Sequence, residues 1–557
     1  MNQAFAYGGA RHAGWAAAEA PAPPTTPASD RTTRHLMVAA HIDQEFSARV
    51  AKEYLSQPLR SLPPPSGFDS AAVLREAVAA QTRRRIRDWT VVALFAPLLF
   101  TGAWLVGGWL VTALAVRLSR RRPDRLTASA LLTLWAFSLP IGVIVVLADQ
   151  AGIVEFWWTA PSIIANVLLG SAIFATLFCD RLVEWWIVTR SFPRFAGSVR
   201  RTWPGEARIR ALGIPRYQDK IARVVRHDGG SNVVVFRGGR PFVGAGRIAM
   251  ARSFALPLVP AEPEESENGK PVPGRRTATA TVGRFMPTDL YNHLHAEYEK
   301  LRTSSSLGPS RRLRDHDVKH HVAVAAREML DNAAHPRFSW ILPGPKQPPV
   351  ATLSLPQLTE AANQPVEWMR YYQQIQVESW DRELVVSLFL HVGCDDRMLY
   401  IEWTCCVLNP VDNTYRDVEP SRKPWRAALS DLVALPLTAC QRARVAATRI
   451  DADKFPEHVT AGTYGIGSSI RELAADDDAS SYFERADVDR YCAILVQHMS
   501  AGIAGFLTSR GISVREFMAR VTQIIDRSVN NYGINTGTMG QDGATSPAQL
   551  KGDPDKK

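Results

Sequence analysis

Apolar positions change their spacing several times along the chain, and each change marks a different kind of element. From Val38 to Ser56 they recur at helical spacing until "SLPPPSGF" ends the run. Asp69 stands where an N-cap belongs, ahead of "SAAVLREAVAAQTRRRIRD", which predicts a helix leading into an uncharged stretch. That stretch, Trp89 to Val116, holds 28 residues without a charge; Leu126 to Ala148 adds 23 and Phe156 to Cys179 another 24. Each exceeds the roughly 20 residues that span about 30 Å of hydrocarbon, so the pattern predicts membrane segments.

Downstream the chain turns β-rich. Strands are predicted at "SNVVVF" and over Arg247 to Val259, and "MRYYQQIQVESW", "RELVVSLFLHVG" and "RMLYIEWTCCVLN" read as an antiparallel meander with short turns. Beyond Trp425 helical spacing returns: "RADVDRYCAILVQHMSAGIAGFLTSRG" is a long amphipathic helix ended by Gly511, and Ser513 with Glu516 opens the last helix in capping-box spacing. The expected fold class is an α-helical membrane region plus a cytoplasmic α+β domain with an antiparallel sheet and C-terminal helices. Its parts are a disordered N-terminus (1–35), an N-terminal helical region (36–88), the membrane region (89–180), a basic juxtamembrane segment (181–226), the α+β domain (227–530) and a disordered tail (531–557).

Charge decides the topology. The chain's net charge of +11 would suggest nucleic acid, but residues 81–125 carry +7 and residues 181–226 carry +8, leaving the remainder at −4. The basic charge therefore sits beside the membrane, where it reads as a topology signal and as attraction to anionic lipid head groups, not as a nucleic-acid groove. The lipid-facing candidates are Arg83, Arg84, Arg85, Arg87, Arg117, Arg120, Arg121, Arg122, Arg194, Arg200 and Arg201. The connector Asp149 to Glu155 is acidic and both its outer flanks are basic, so the second and third segments form a hairpin with both ends inside, and the C-terminal domain is cytoplasmic. The first segment has arginines at both ends. It either crosses once or dips in and returns, with Pro97, Gly102, Gly107 and Gly108 as places to bend; the positive-inside argument favours the re-entrant form. No signal peptide is expected ahead of it.

Candidate chemistry is sparse. "VVVFRGGRPFVGAG" runs a strand into glycines, and Arg237, Gly238, Gly239, Arg240, Gly244 and Gly246 form the candidate ligand loop, with exposed backbone N–H groups and an arginine on a phosphate. The P-loop pattern is absent, and a glycine-rich turn explains the same residues. His316 and His320 have the i, i+4 spacing of ligands on a helix face, next to His321 and near His293 and His295, but no HExxH motif accompanies them and no metal or cofactor is expected. Ser468 or Ser469 is a helix cap rather than a nucleophile, and Asp476, Asp477 and Asp478 form a solvated loop. Six cysteines without regular spacing read as reduced thiols. The membrane segments contain no Asp, Glu, Lys, Arg or His, which argues against transport.

Taken together, "NVVVFRGGRPFVGAG", "LYNHLHAEYEKL", "VESWDRELVVSLFLHV", "LYIEWTCCVLNP" and "SIRELAADDDASSYFERADVDRY" resemble multi-pass membrane proteins common in actinobacteria that carry a cytoplasmic PFVGAG-containing domain. That resemblance implies a location in the cell membrane and brings no established activity or catalytic residue. The expected function is a membrane-anchored cytoplasmic scaffold or sensor without catalysis, with a protein partner or self-association. The alternatives are a nucleotide- or phosphate-binding sensor or enzyme using the glycine loop, and an oligomeric pore.

Overall fold

The computed structural model describes residues 31–121, 160–192, 201–261, 285–303, 313–417, 423–448, 458–477 and 481–522, apart from positions 65, 102, 229, 314 and 315. The expected apolar run 126–148, the tail 531–557, residues 1–30 and Arg122, Arg194 and Arg200 lie outside the described residues.

The helical stretch expected from Val38 is two helices, α1 (Arg31–Ile42) and α2 (Gln44–Leu55). Asp43 divides them, because its carboxylate accepts from the N–H groups of Glu45 and Phe46 at 2.7 and 3.1 Å and so restarts the chain as an N-cap. Residues 31–35, expected to be disordered, belong to α1, and Thr32 and His35 are buried there. Asp69 caps α3 (Ser70–Thr101) as expected, accepting from the Ala72 N–H at 2.9 Å.

At 32 residues α3 is about 48 Å long, and its two halves lie in different cores. Val73, Leu74, Ala77 and Val78 pack with α1, α2, Trp203 and Val234. Val91, Phe95 and Leu98 pack instead with Trp109 of α4 (Ala103–Arg121), Ile173 and Leu177 of α5 (Ala160–Trp186), and Ala428 and Leu435 of α10 (Pro424–Ala447). The rings of Phe95 and Trp109 meet edge to face at 5.8 Å. In one continuous helix those residues would stand about 21 Å apart, so the chain reverses between α3 and α4. The uncharged stretch 89–116 is a hairpin with arms of about 20 Å each.

Two short helices, α6 (Glu206–Gly213) and α7 (Gln218–Asp228), lead into the sheet. Its order is β1 (Val233–Phe236), β3 (His316–Ala325), β4 (Met369–Ser379), β5 (Leu384–Cys394), β6 (Met398–Leu408) and β2 (Arg247–Pro257). The β4–β5–β6 meander is as expected, but the sheet is mixed: β1 pairs with β3 in parallel. Strand β3 contains "HDVKHH", where a helix face had been considered. One face of the sheet, with Val322, Ile375, Leu388 and Ile401, is covered by α8 (Pro287–Thr303), α9 (Leu355–Asn363) and α11 (Tyr482–Ser509).

Among the described residues two helices are long and apolar enough to cross a membrane, Ala165–Ser191 and Tyr482–Ser509. The second is α11, whose Leu495, Met499, Ile503 and Phe506 are buried in the core of the sheet body. The first has only 22% of its apolar window buried.

The region 36–88 is not a separate unit. Its core includes Val243, Ile466 and Ile470, the Tyr415 hydroxyl donates to Asp43 at 2.6 Å, and the Ser61 N–H donates to the Tyr464 carbonyl at 2.7 Å.

This shared core buries His41, which meets Glu76 at 3.0 Å and lies edge-on to Trp203. Burial pushes its pKa down to about 4 in spite of the Glu76 hydrogen bond. In the unfolded chain the imidazole takes up a proton near pH 6.5, so stability tied to His41 is complete above that value and is lost as pH falls toward 4. Replacing His41 with Gln should lower stability and remove roughly one proton, about 1.4 kcal/mol per pH unit, from the slope of unfolding free energy between pH 5 and 6. Urea titrations at stepped pH measure that slope.

Candidate functional site

The glycine loop between β1 and β2 places its residues in two groups. Gly244 and Gly246 have φ of +98° and +86°, a left-handed backbone that turns both N–H groups toward one point. That point is occupied by the chain's own carboxylate: Oε1 of Glu472 accepts from Gly244 and Gly246 at 2.9 and 3.0 Å, and Oε2 accepts from the Ser469 N–H at 2.8 Å. A Cβ on Gly246 would overlap the Val407 carbonyl, so the loop is pressed against β6. Arg237 donates to Glu53 at 2.7 Å, and Glu53 also holds Arg60 at 2.6 Å. Gly238, Gly239 and Arg240 form the exposed tip. The nest considered for a phosphate is thus built around Glu472, and Arg237 is committed to an internal ion pair.

The histidines are dispersed by β3. His316 and His320 share a face of that strand about 13 Å apart, not one helical turn apart. Nδ1 of His316 hydrogen-bonds the Leu313 carbonyl, and Nδ1 of His320 meets the Tyr371 hydroxyl, both at 2.8 Å. Among the described residues no three His, Cys, Asp or Glu side chains converge as metal ligands. Ser469 receives the Glu472 N–H at 3.2 Å and caps a turn, not a helix.

The sheet face away from α11 carries polar residues that sequence reasoning passed over. Strand register sets His321 beside Tyr372 and His391 beside Glu402, with Ser253 next in the row. Toward the end of this face lies an open cleft of about 300 Å³ lined by Ser253, Glu367, Arg370, His391, Tyr400 and Glu402. Glu402 accepts from Arg370 at 2.9 Å and from the Tyr372 hydroxyl at 3.1 Å, so both its oxygens are engaged. Burial lowers the His391 pKa, which keeps the ring neutral, and raises that of Tyr372. The cleft can hydrogen-bond a polar molecule, while Glu402 is held as an anchor rather than poised as a base. The readable signal was alternation in "RYYQQIQVE", where Arg370, Tyr372, Gln374 and Gln376 occupy every second position.

The arginines before the first apolar segment turn inward. Arg83 and Arg87 pair with Asp180 of α5 at 2.9 and 2.8 Å, and Asp88 receives Arg87 and Arg442 at 2.9 and 3.1 Å. Arg84 donates to the carbonyls of Ala40 and His41, the last turn of α1. Arg85 and Trp89 both donate to the Ala446 carbonyl, the last turn of α10, at 2.9 and 3.1 Å. A carbonyl left over at a helix end requires such a donor. The lipid-facing reading of Arg83, Arg84, Arg85 and Arg87 is therefore corrected: they knit helices together. Arg117 and Arg201 are exposed.

These features define a mixed α/β body welded by buried charge to a bundle of apolar helices. The AbeC-like domain family matches residues 251–541, more than half of the chain, and the protein belongs to that family. The matched region takes in α10 and the cleft but leaves out α3–α5 and the glycine loop. No curated protein matches the chain, and no solved structure does.

If the glycine loop is a structural tie, Glu472→Ala should cost on the order of 2–4 kcal/mol by stranding three N–H donors, without creating nucleotide affinity. Gly246→Ala should cost at least as much, through both its φ and the Val407 clash. Denaturant unfolding measures both, and calorimetry with ATP checks the absence of binding.

Proposed function

We propose that this protein is anchored in the cell membrane by the α3–α4 hairpin and α5, and that its α/β body works on the cytoplasmic side as a scaffold or sensor for a protein partner. The observation that carries the reading is the exposed apolar surface of the bundle. Phe100 is 84% exposed, Leu168 64% and Val167 62%, on neighbouring helices that share one core. Contiguous apolar surface of that kind marks an interaction with a membrane or another protein. Helix α5 is long enough to cross. The hairpin arms, at about 20 Å, fall short of a 30 Å hydrocarbon core and suit a re-entrant wedge. The basic residues at its base favour the cytoplasmic side for the body.

A second reading draws on the cleft at Arg370, His391 and Glu402. Its polar lining suits a small polar ligand, and would make the body a ligand sensor. The nucleotide reading based on Arg237 and the glycines loses its support once Glu472 fills the nest.

Alkaline carbonate extraction of cell membranes should leave the full-length protein in the pellet; release into the supernatant would overturn the anchoring. For sidedness, Arg49→Cys and Tyr482→Cys in a chain without native cysteines should resist an impermeant maleimide until the cells are lysed. Labelling of either on intact cells would place the body outside.

A further inference from the structure

We infer that α10 lies flat in the membrane surface, as an in-plane helix that covers the base of the bundle and presents its outer side to anionic lipid head groups. The inference rests on the anchoring proposed above. It begins from the sequence of α10: between Arg426 and Arg442 stand fifteen residues with one charge, Asp431, and that carboxylate is taken by Arg181 of α5 at 2.7 Å. Fifteen helical residues measure about 22 Å, too short to cross a bilayer.

Orientation follows from where α10 is tied. Arg87 joins Asp180, so Asp88 of α3 and Arg181 of α5 stand at one level of the bundle. Asp431 of α10 meets Arg181, and Arg442 of α10 meets Asp88. Those α10 residues are eleven positions apart, about 16 Å along their own helix. Two contacts separated by that length along α10, yet level on α3 and α5, mean that α10 crosses the bundle instead of running along it. If α5 is close to the membrane normal, α10 is close to the membrane plane.

The two sides of α10 differ accordingly. Ala428, Leu432, Leu435 and Ala439 recur every three or four residues, Ala446 follows two turns later, and all pack inward or against the α3 side chains. Trp425 is 46% exposed, Leu429 45% and Val445 41%, on the flanks of that stripe, and Arg426, Ser430, Gln441 and Arg444 are exposed between the flanks. Exposed Lys423, Arg426 and Arg444 lie toward the two ends. Exposed apolar flanks on either side of a polar face with basic ends complement the interfacial layer of an anionic bilayer.

The test places a polarity-sensitive fluorophore on single cysteines at Leu429, Val445, Leu168 and Tyr482, in full-length protein otherwise free of cysteine. The protein is reconstituted in vesicles of phosphatidylcholine and phosphatidylglycerol carrying a nitroxide either on the headgroup or deep in the acyl chain. Positions 429 and 445 should be quenched at least about twofold more by the headgroup nitroxide, position 168 more by the deep one, and position 482 by neither. Absence of quenching at 429 and 445 beside strong quenching at 168 overturns the in-plane helix and leaves the anchoring standing, whether water or a second copy covers α10. Stronger quenching at 429 by the deep nitroxide overturns it as well, because α10 would then be inserted. No quenching at 168 means the anchoring itself has failed. Sites at both ends of α10 keep the test open should one variant misfold.

Discussion

The layer of buried charge at Arg83, Arg87, Asp88, Asp180 and Arg442 is the constraint around which the molecule is arranged. A carboxylate removed from water costs several kcal/mol unless guanidinium groups surround it, and Asp180 has two of them within 2.9 Å. Meeting that requirement fixes the rotation of α3 against α5 and the height at which they touch. Arg442 then draws α10 to the same level through Asp88. Removing one member would leave its partner charged and dry, so the helices have little freedom to slide past one another.

From this layer the consequences run in both directions. Toward the bundle, the apolar halves of α3 and α5 leave Phe100, Val167 and Leu168 exposed. Toward the body, α3 carries Val73, Leu74 and Val78 into a core shared with the sheet. No flexible linker intervenes between the two ends of α3, because it is one helix. The bundle and the sheet are therefore joined by one continuous helix.

Much of this was legible along the chain. Asp69 announced α3 and the β-rich runs with short turns announced the meander, while the uncharged stretch left a single crossing and a re-entrant form open, and its Pro97, Gly107 and Gly108 lie inside α3 and α4. The failures have physical causes. The arginine cluster at 83–87 looks the same on paper whether it meets phosphate groups or Asp180, which stands 93 residues from Arg87. Glu472 lies 226 residues from Gly246, so nothing local reveals that the glycine nest is filled from within. Strand β3 was obscured by polar histidines that its neighbours bury. The cleft was overlooked because the polar alternation in β4 marks only one wall of it, and the rest arises from lateral register between strands.

The long-range ties also set an order of events during synthesis. Helices α1–α3 emerge first, yet their partners Ile466, Ile470 and the Tyr464 carbonyl emerge only about 400 residues later. At roughly 5–20 residues per second, that interval lasts on the order of 20–80 s. The hairpin and α5 are synthesised within the early part of it, while α1 and α2 still lack the surface that covers them. Pairing of α3 with α5 thus becomes possible before the body is complete, and the body closes around helices already made. The early helices act as the jig on which the sheet body is assembled.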